Sequence, residues 1–498
     1  MRAIKPEWKT AVLATWIIGL FAHAYRFFNF LPTGDTMHSF FGTGATYRSG
    51  RWFLDWASQL STNYELIWVN AALSMIYICV AVVMLIELLE IKNQSAIILT
   101  AGLVVTFPAV TSTFAYMFTA DGYMMAFMLA VAGIYLTEKY KWGVIPGMIC
   151  VCLSMSTYQA YLSVSLVLVA IICVKKVLLD DLNFVQALQA EYTQAITLAG
   201  GAVLNKVLTN LINKQIGMEL TSYQGINDVH MLTIEDNLKA IGASWDGFKL
   251  FFAIGEWAGK SKYSQLHQLF FVLLLGFTVY FVIKKKVYKR PVALLCVAAA
   301  YLCMPMLVYV IRFVSVKVVY HALMVMSLSL LYVFILMLIE HFDEDNKIEK
   351  VMRYITVAVM CGICYINILN ANYAYYQMNL SYEKSYAIAM DVLSRVEEIE
   401  EFDGTQKIAV CGFYDASTEI IKPSNPELVG VGNGTVLAGQ EHYLAMWEYC
   451  MGRVYTGATP EETFELCQTD EYLDMNVYPY AGCVEYIDGV VVVKLSEE

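Results

Sequence analysis

A polytopic α-helical membrane protein ending in a small soluble α+β domain is the architecture expected of this chain, on three grounds. Of its 498 residues, 58% are hydrophobic and 15% charged, with a mean hydropathy of +0.54; a soluble globular protein carries about a quarter of its residues charged. Apolar runs of about 20 residues recur, the length that crosses a hydrocarbon core of roughly 30 Å. The charge then changes character late in the sequence: residues 371–498 hold 22 of the 44 acidic side chains but only 6 of the 33 basic ones. A membrane body over 1–375 and an acidic domain over 376–498 follow, and the acidity excludes nucleic acid as a partner.

Eleven spans are expected, at about 10–28, 65–88, 95–113, 121–138, 143–158, 160–177, 194–213, 265–284, 291–311, 318–340 and 351–369. The first lacks a small-residue cleavage site after it and reads as a retained helix rather than a signal peptide. The third carries Pro108, where a helix can break. The fifth and sixth are separated by STYQAY at 156–161, and the seventh is interrupted by Asn205, Lys206 and Asn210. Lys and Arg gather in alternate connections, most densely in KKKVYKR at 284–290. That bias places the N-terminus in the cytoplasm. It places the loops at 29–63 and 214–263 and the acidic domain outside the cytoplasmic membrane.

In the acidic domain, SYEKSYAIAMDVLSRVEEIEE has helical spacing, KIAVCGF reads as a strand, and ETFELCQT reads as a short helix. VEYIDGVVVVKL predicts two strands around an Asp488-Gly489 turn. Eight of the twelve cysteines lie in or near apolar runs and read as buried thiols. Cys411, Cys450, Cys467 and Cys483 lie in the domain, where pairing is possible in an oxidising compartment and spacing leaves connectivity open. NLS at 379 and NGT at 433 match the glycosylation pattern.

The chemistry-bearing residues gather at the outward ends of the spans. The loop LPTGDTMHSFFGTGATYRSGRW carries Asp35, His38, Arg51 and several aromatics. Trp52, Trp56 and Leu60 recur at helical spacing, which predicts short helices lying flat at headgroup depth. Asp35 would sit where the first span gives way to that surface, either as a reactive acid or as a plain helix cap. Asp121 opens the fourth span, Tyr158 and Gln159 occupy the fifth–sixth kink, Arg312 and Lys317 flank the ninth–tenth connection, and His321 follows. Each has an ordinary explanation as cap, belt aromatic or snorkelling cation. Together they suit transfer of a sugar from a lipid phosphate: a carboxylate to take the acceptor's proton, cations for the departing phosphate, and aromatics and amides to hold the sugar.

The Asp35 loop ending in Ser49-Gly50-Arg51-Trp52, the run FTADGYMMAFMLA at 118–130 and STYQAY at 156–161 resemble the bacterial serotype-converting glucosyl transferase (Gtr) family. PYAGCVEYIDGVVVVKL at 479–495 is similar to the tail of longer members. The resemblance implies a GT-C glycosyltransferase fold and a polyprenyl-phosphate sugar donor. It implies glucose or a similar hexose as the moved sugar and a cell-surface glycan as acceptor. It also implies Asp35 as the catalytic acid of the first loop, with Arg51, Arg312 and Lys317 on the donor phosphate. His38, Trp52, Asp121, Tyr158, Gln159 and His321 would then contact sugar or acceptor. Relatives often show a second acid beside the first. Here Gly34-Asp35-Thr36 offers a lone carboxylate, a poor Mg²⁺ site, so no metal or other cofactor is expected and an inverting displacement with Asp35 as base is favoured. Two other classes compete: a glycolipid flippase or transporter, which would show internal repeats and midplane polar groups, and a surface-glycan polymerase or ligase.

Overall fold

In the computed structural model, the described residues are 5–43, 46–61, 64–180, 182, 184–221, 233–255, 264–315, 317–414 and 436–497. Asn433 of the NGT motif and much of the 214–263 loop lie outside them. Among the described residues, ten helical segments are long and apolar enough to cross a membrane, and an eleventh apolar helix is shorter. The chain is therefore a polytopic membrane protein.

The helices follow the apolar runs. α1 (Pro6–Phe28) starts on a proline at its first turn, where a missing N–H costs nothing. The chain then makes two short surface helices, α2 (Gly34–His38) and α3 (Trp52–Ser58), before α4 (Ile67–Leu88). The third span does break at its proline: α5 (Gln94–Val105) stops three residues earlier, and Pro108 opens α6 (Pro108–Ala115). α7 (Met117–Lys139), α8 (Val144–Thr157) and α9 (Leu162–Leu178) pack in sequence, with a 3₁₀ turn at Gln159–Tyr161 making the expected kink. α10 (Phe184–Ile216), α11 (Ile234–Lys249), α12 (Ser264–Lys284) and α13 (Pro291–Val308) follow.

Burial separates the spans into two kinds. The tenth, a 3₁₀ stretch Ala322–Leu328 continued by α14 (Ser329–Glu340), is buried almost throughout, whereas little of Glu191–Ile216 is fully buried. The first is apolar and meets protein on all sides; the second carries Asn205, Lys206 and Asn210, packs one stripe against α8 and leaves the rest of its surface open. Buried polar contacts fix the register between helices. His23 Nδ1 lies 2.8 Å from the Tyr375 hydroxyl and Nε2 2.8 Å from the Val105 carbonyl, joining three helices. Since a carbonyl only accepts, Nε2 carries the proton and Nδ1 accepts from the tyrosine.

α15 (Lys347–Glu397) is a single helix of 51 residues. At 1.5 Å per residue it is about 75 Å long, more than twice a hydrocarbon core of roughly 30 Å. It therefore runs without interruption past residue 376, where composition changes, and becomes the spine of the acidic domain. After it come β1 (Lys407–Cys411), α16 (Gln440–Ala445), α17 (Pro460–Leu466), α18 (Asp470–Asp474), β2 (Val484–Ile487) and β3 (Val490–Lys494), with β2 and β3 packed on α15 and α17 on β1. The sheet order is β1-β3-β2, with β1 parallel and β2 antiparallel to β3. Asp488 and Gly489 both have positive φ, as a two-residue hairpin turn requires. The domain core joins Ile388, Val392 and Val396 of α15 to Trp447, Val491 and Val493, and it also contains Met37 of α2. The twelve cysteines are free in this structure.

Candidate active site

A cavity of about 1180 Å³ opens at the end of the bundle where α1 stops and α4 starts. Its walls come from α2 and the following loop, the end of α6 and start of α7, Tyr158, His321, and the acidic domain's residues 441–449.

The cavity's first loop is anchored from below. Arg26, in the last turn of α1, is fully buried and pairs with Glu65 just before α4, Nη2 to Oε1 at 2.6 Å. Its Nε donates to the Phe114 carbonyl at 2.8 Å and its Nη1 to the Asn29 carbonyl at 3.1 Å. This pair ties the entry and exit of the loop together. Above it, Thr33 caps α2: its hydroxyl accepts from the Thr36 amide at 3.3 Å, and the Thr36 hydroxyl accepts from the Thr33 amide at 3.2 Å. The capping role falls to Thr33, so the Asp35 carboxylate, in the first turn, stays exposed on the cavity wall.

The Ser49-Gly50-Arg51-Trp52 motif has a specific geometry. Gly50 sits at φ +67°, and a Cβ there would lie 3.3 Å from Gln159 Nε2. Gln159 itself donates to the Ser49 carbonyl at 2.8 Å. Arg51 then projects into the cavity, donates from Nη1 to the Tyr123 hydroxyl at 3.3 Å, and lies 4.7 Å from the centre of the Tyr158 ring. Tyr158 in turn stacks on Tyr123 at 4.8 Å. The guanidinium lies over the Tyr158 ring, with its fork directed by the Tyr123 hydroxyl.

Asp35, His38, Arg51, Tyr158 and His321, all singled out from sequence, line the one cavity. Five others do not line it. Gln159 positions the Ser49–Arg51 turn. Trp52 is buried at the start of α3, while Trp56, on the same helical face, is 62% exposed as an interfacial residue would be. Asp121 is buried beneath the site, where the Asn70 side-chain amide donates to it at 3.2 Å. The neighbouring glycine explains why: a Cβ at Gly122 would come 2.6 Å from Leu54, so α3 lies directly on α7 and covers this level of the helix. Arg312 sits between the Tyr309 and Tyr320 rings, 5.4 and 5.1 Å from their centres, and Lys317 is exposed beside it.

The cavity adds residues that sequence reasoning passed over. Arg48 lines it, three residues before Arg51 in the same loop. Glu441, Glu448 and Tyr449 line it from the acidic domain. The double arginine in TYRSGRW was a visible signal for Arg48; nothing in the local pattern at 441–449 distinguished those three.

Histidines cluster at the seam. The His38 and His442 rings are 6.5 Å apart, and His442 Nδ1 is 3.3 Å from Glu441 Oε1. Burial holds the His442 imidazole below its ordinary range, Glu441 and Asp35 pull it up, and His38 pushes it down. Burial likewise lowers His321. Among the described residues, no group of three His, Cys, Asp or Glu side chains is placed to hold a metal ion.

A family model described as "Glucosyl transferase GtrII" matches residues 24–328, which include every cavity wall except that of the acidic domain. No curated protein and no solved structure matches the chain.

Proposed function

The chain belongs to the GtrII glucosyl transferase family, and from this we propose that it moves glucose or a similar hexose from a polyprenyl-phosphate donor to a cell-surface glycan. The family points to glycosyl transfer; the donor and acceptor proposed are those the Gtr resemblance implies, and the cavity lining supports Asp35 as the base. The observation that carries the reading is the meeting of an exposed carboxylate, Asp35, with two arginines, Arg48 and Arg51, in one cavity at the end of a membrane bundle.

In this mechanism Asp35 takes the proton of an acceptor hydroxyl. The hydroxyl oxygen bonds to the sugar's anomeric carbon from the face opposite the phosphate, the bond from that carbon to the phosphate oxygen breaks, and configuration inverts. Arg48 and Arg51 stabilise the phosphate as it takes up the charge; Arg's planar fork matches two phosphate oxygens. Tyr158 and Tyr123 keep Arg51 in place. His38 and His321 supply hydrogen bonds to sugar hydroxyls. Each step is assigned to the chain's own side chains, with Arg48 and Arg51 in the role of the charge-stabilising cations. The cavity faces outward and the N-terminus lies in the cytoplasm, a topology supported by the basic run 284–290. Its Lys285 and Arg290 reach the Leu179 and Leu182 carbonyls at the end of α9, the end of the bundle away from the cavity.

The test is Asp35→Asn in membranes supplied with radiolabelled polyprenyl-phosphate glucose. Transfer is expected to fall at least about 100-fold, the scale of a positioned general base. Thermal unfolding should be unchanged, because Thr33 rather than Asp35 caps α2. Full activity in this variant would remove the mechanism.

A further inference from the structure

We propose, resting on the glycosyl-transfer reading above, that the cavity wall supplied by α16 and the residues after it is the acceptor subsite, that Tyr449 stacks an acceptor sugar ring, and that the wall selects an uncharged glycan over a phosphate-bearing one. The family match stops at residue 328, well before this wall.

The first ground is an aromatic shelf inside the cavity. Tyr449 stacks on Phe40 at 4.6 Å, and Phe41 meets both edge-on, at 5.1 Å from Phe40 and 5.0 Å from Tyr449. Tyr64 adds a fourth ring, edge-on to Phe41 at 5.4 Å. Phe41 is 59% exposed and Tyr449 39% exposed, yet both line the cavity. Rings left open toward a polar cavity present negative faces to a ligand. The C–H face of a pyranose carries the complementary partial charge.

The second ground is the polarity of the walls. The cations, Arg48 and Arg51, come from the membrane body's loop, while Glu441 and Glu448 come from the acidic domain. A donor phosphate is attracted to the first wall and repelled by the second, so the lipid-linked sugar occupies the arginine side and the acceptor the carboxylate side. Carboxylates accept strong hydrogen bonds from sugar hydroxyls. An acceptor carrying phosphodiesters would bring like charge against Glu441, Glu448 and Asp35 together.

The third ground is rigidity. Trp447, between the two glutamates, is buried and donates from Nε1 to the Ala389 carbonyl of α15 at 2.8 Å. The wall is thereby fixed to the same helix that crosses the membrane, as a site for chemistry needs.

The experiment uses the full-length protein in membranes, labelled polyprenyl-phosphate glucose, and cell-envelope glycans separated by anion exchange into neutral and phosphate-bearing fractions. The wild type is expected to label the neutral fraction at least fivefold faster. Tyr449→Ala should raise the KM for the neutral fraction at least fivefold while the donor KM stays within twofold, and Tyr449→Phe should restore the wild-type value. Glu441→Gln with Glu448→Gln should narrow the preference for the neutral fraction. Equal labelling of both fractions by the wild type, or an acceptor KM unmoved by Tyr449→Ala, overturns the proposal and leaves glycosyl transfer standing. A parallel rise in donor KM in Tyr449→Ala assigns the shelf to the donor and likewise overturns it. An inserted wild type that labels neither fraction removes the glycosyl-transfer reading and this proposal with it.

Discussion

Arg26 and Glu65 are 0% and 6% exposed, and the arginine also donates to two carbonyls. Removing one partner of such a buried pair strands a charge, at a cost of about 3–5 kcal/mol. Arg26→Ala is expected to lower the thermal unfolding midpoint sharply and to abolish transfer through loss of the loop that presents Asp35. Arg26→Met combined with Glu65→Leu removes both charges and should recover much of the stability, since apolar replacements of buried pairs are often near neutral; comparison of unfolding midpoints for the single and double variants checks this. Arg26 stands inside an apolar run, and Glu65 reads as an ordinary interfacial acid; nothing in spacing joins residues that are neighbours only after the loop closes. Arg51, by contrast, was legible as a cation in an outward loop suited to a phosphate, although the Gly50 turn that aims it was not. Asp121 misled for a physical reason. It was expected to open the span, but α7 begins at Met117, so Asp121 lies a turn further in, and the small Gly122 lets α3 lie on that level and seal it from the cavity.

α2 and α16 meet across the seam, where His442 is buried beside Glu441, His38 and Asp35. The folded protein holds His442 below its ordinary value of 6.5. The unfolded chain therefore binds a proton more readily, and the stability contributed by the neutral ring is present above pH 6.5 and lost as pH falls through the lowered value. The unfolding midpoint of the acidic domain is expected to drop between pH 7 and pH 5, and to drop less in His442→Gln; a pH series followed by intrinsic fluorescence of the buried Trp447 reads it. The same seam depends on α15 for its rotation. One alanine inserted after Asn379 turns everything beyond by about 100°, carrying Tyr449 away from Phe40. Transfer should be lost while the protein still inserts in membranes. The helical periodicity of 381–401 was readable, and so was the last span. Their fusion was not, because composition changes from apolar to acidic without any helix-breaking residue to mark or deny a boundary.

At the level of the entire chain, the membrane body and the acidic domain share one cavity and one hydrophobic cluster, since Met37 of α2 belongs to the domain's core. A domain that served only as a soluble spacer would leave α2 intact when removed. Here, deletion of residues 376–498 is expected to expose Met37 and loosen α2. Transfer should therefore vanish even with a small-molecule acceptor that needs no extended binding surface, and protease cleavage within 29–43 should accelerate. Retention of transfer to such an acceptor would show that α2 holds its position alone. The run of spans and the hairpin at Asp488-Gly489 were visible because periodicity and turn chemistry are local. The docking of the domain onto α2 was invisible because it joins residues distant in sequence through shape alone.

Met37 leaves the ribosome long before Trp447 does, and the two settle into the same cluster. The acid beside Met37 thus reaches the membrane while the pieces that complete its surroundings are still unmade. A half-synthesised chain has no finished cavity, because Glu441, Glu448 and Tyr449 of its wall are added only near the end of synthesis. Order of manufacture, by itself, makes the closing of the cavity one of the last events in building the chain.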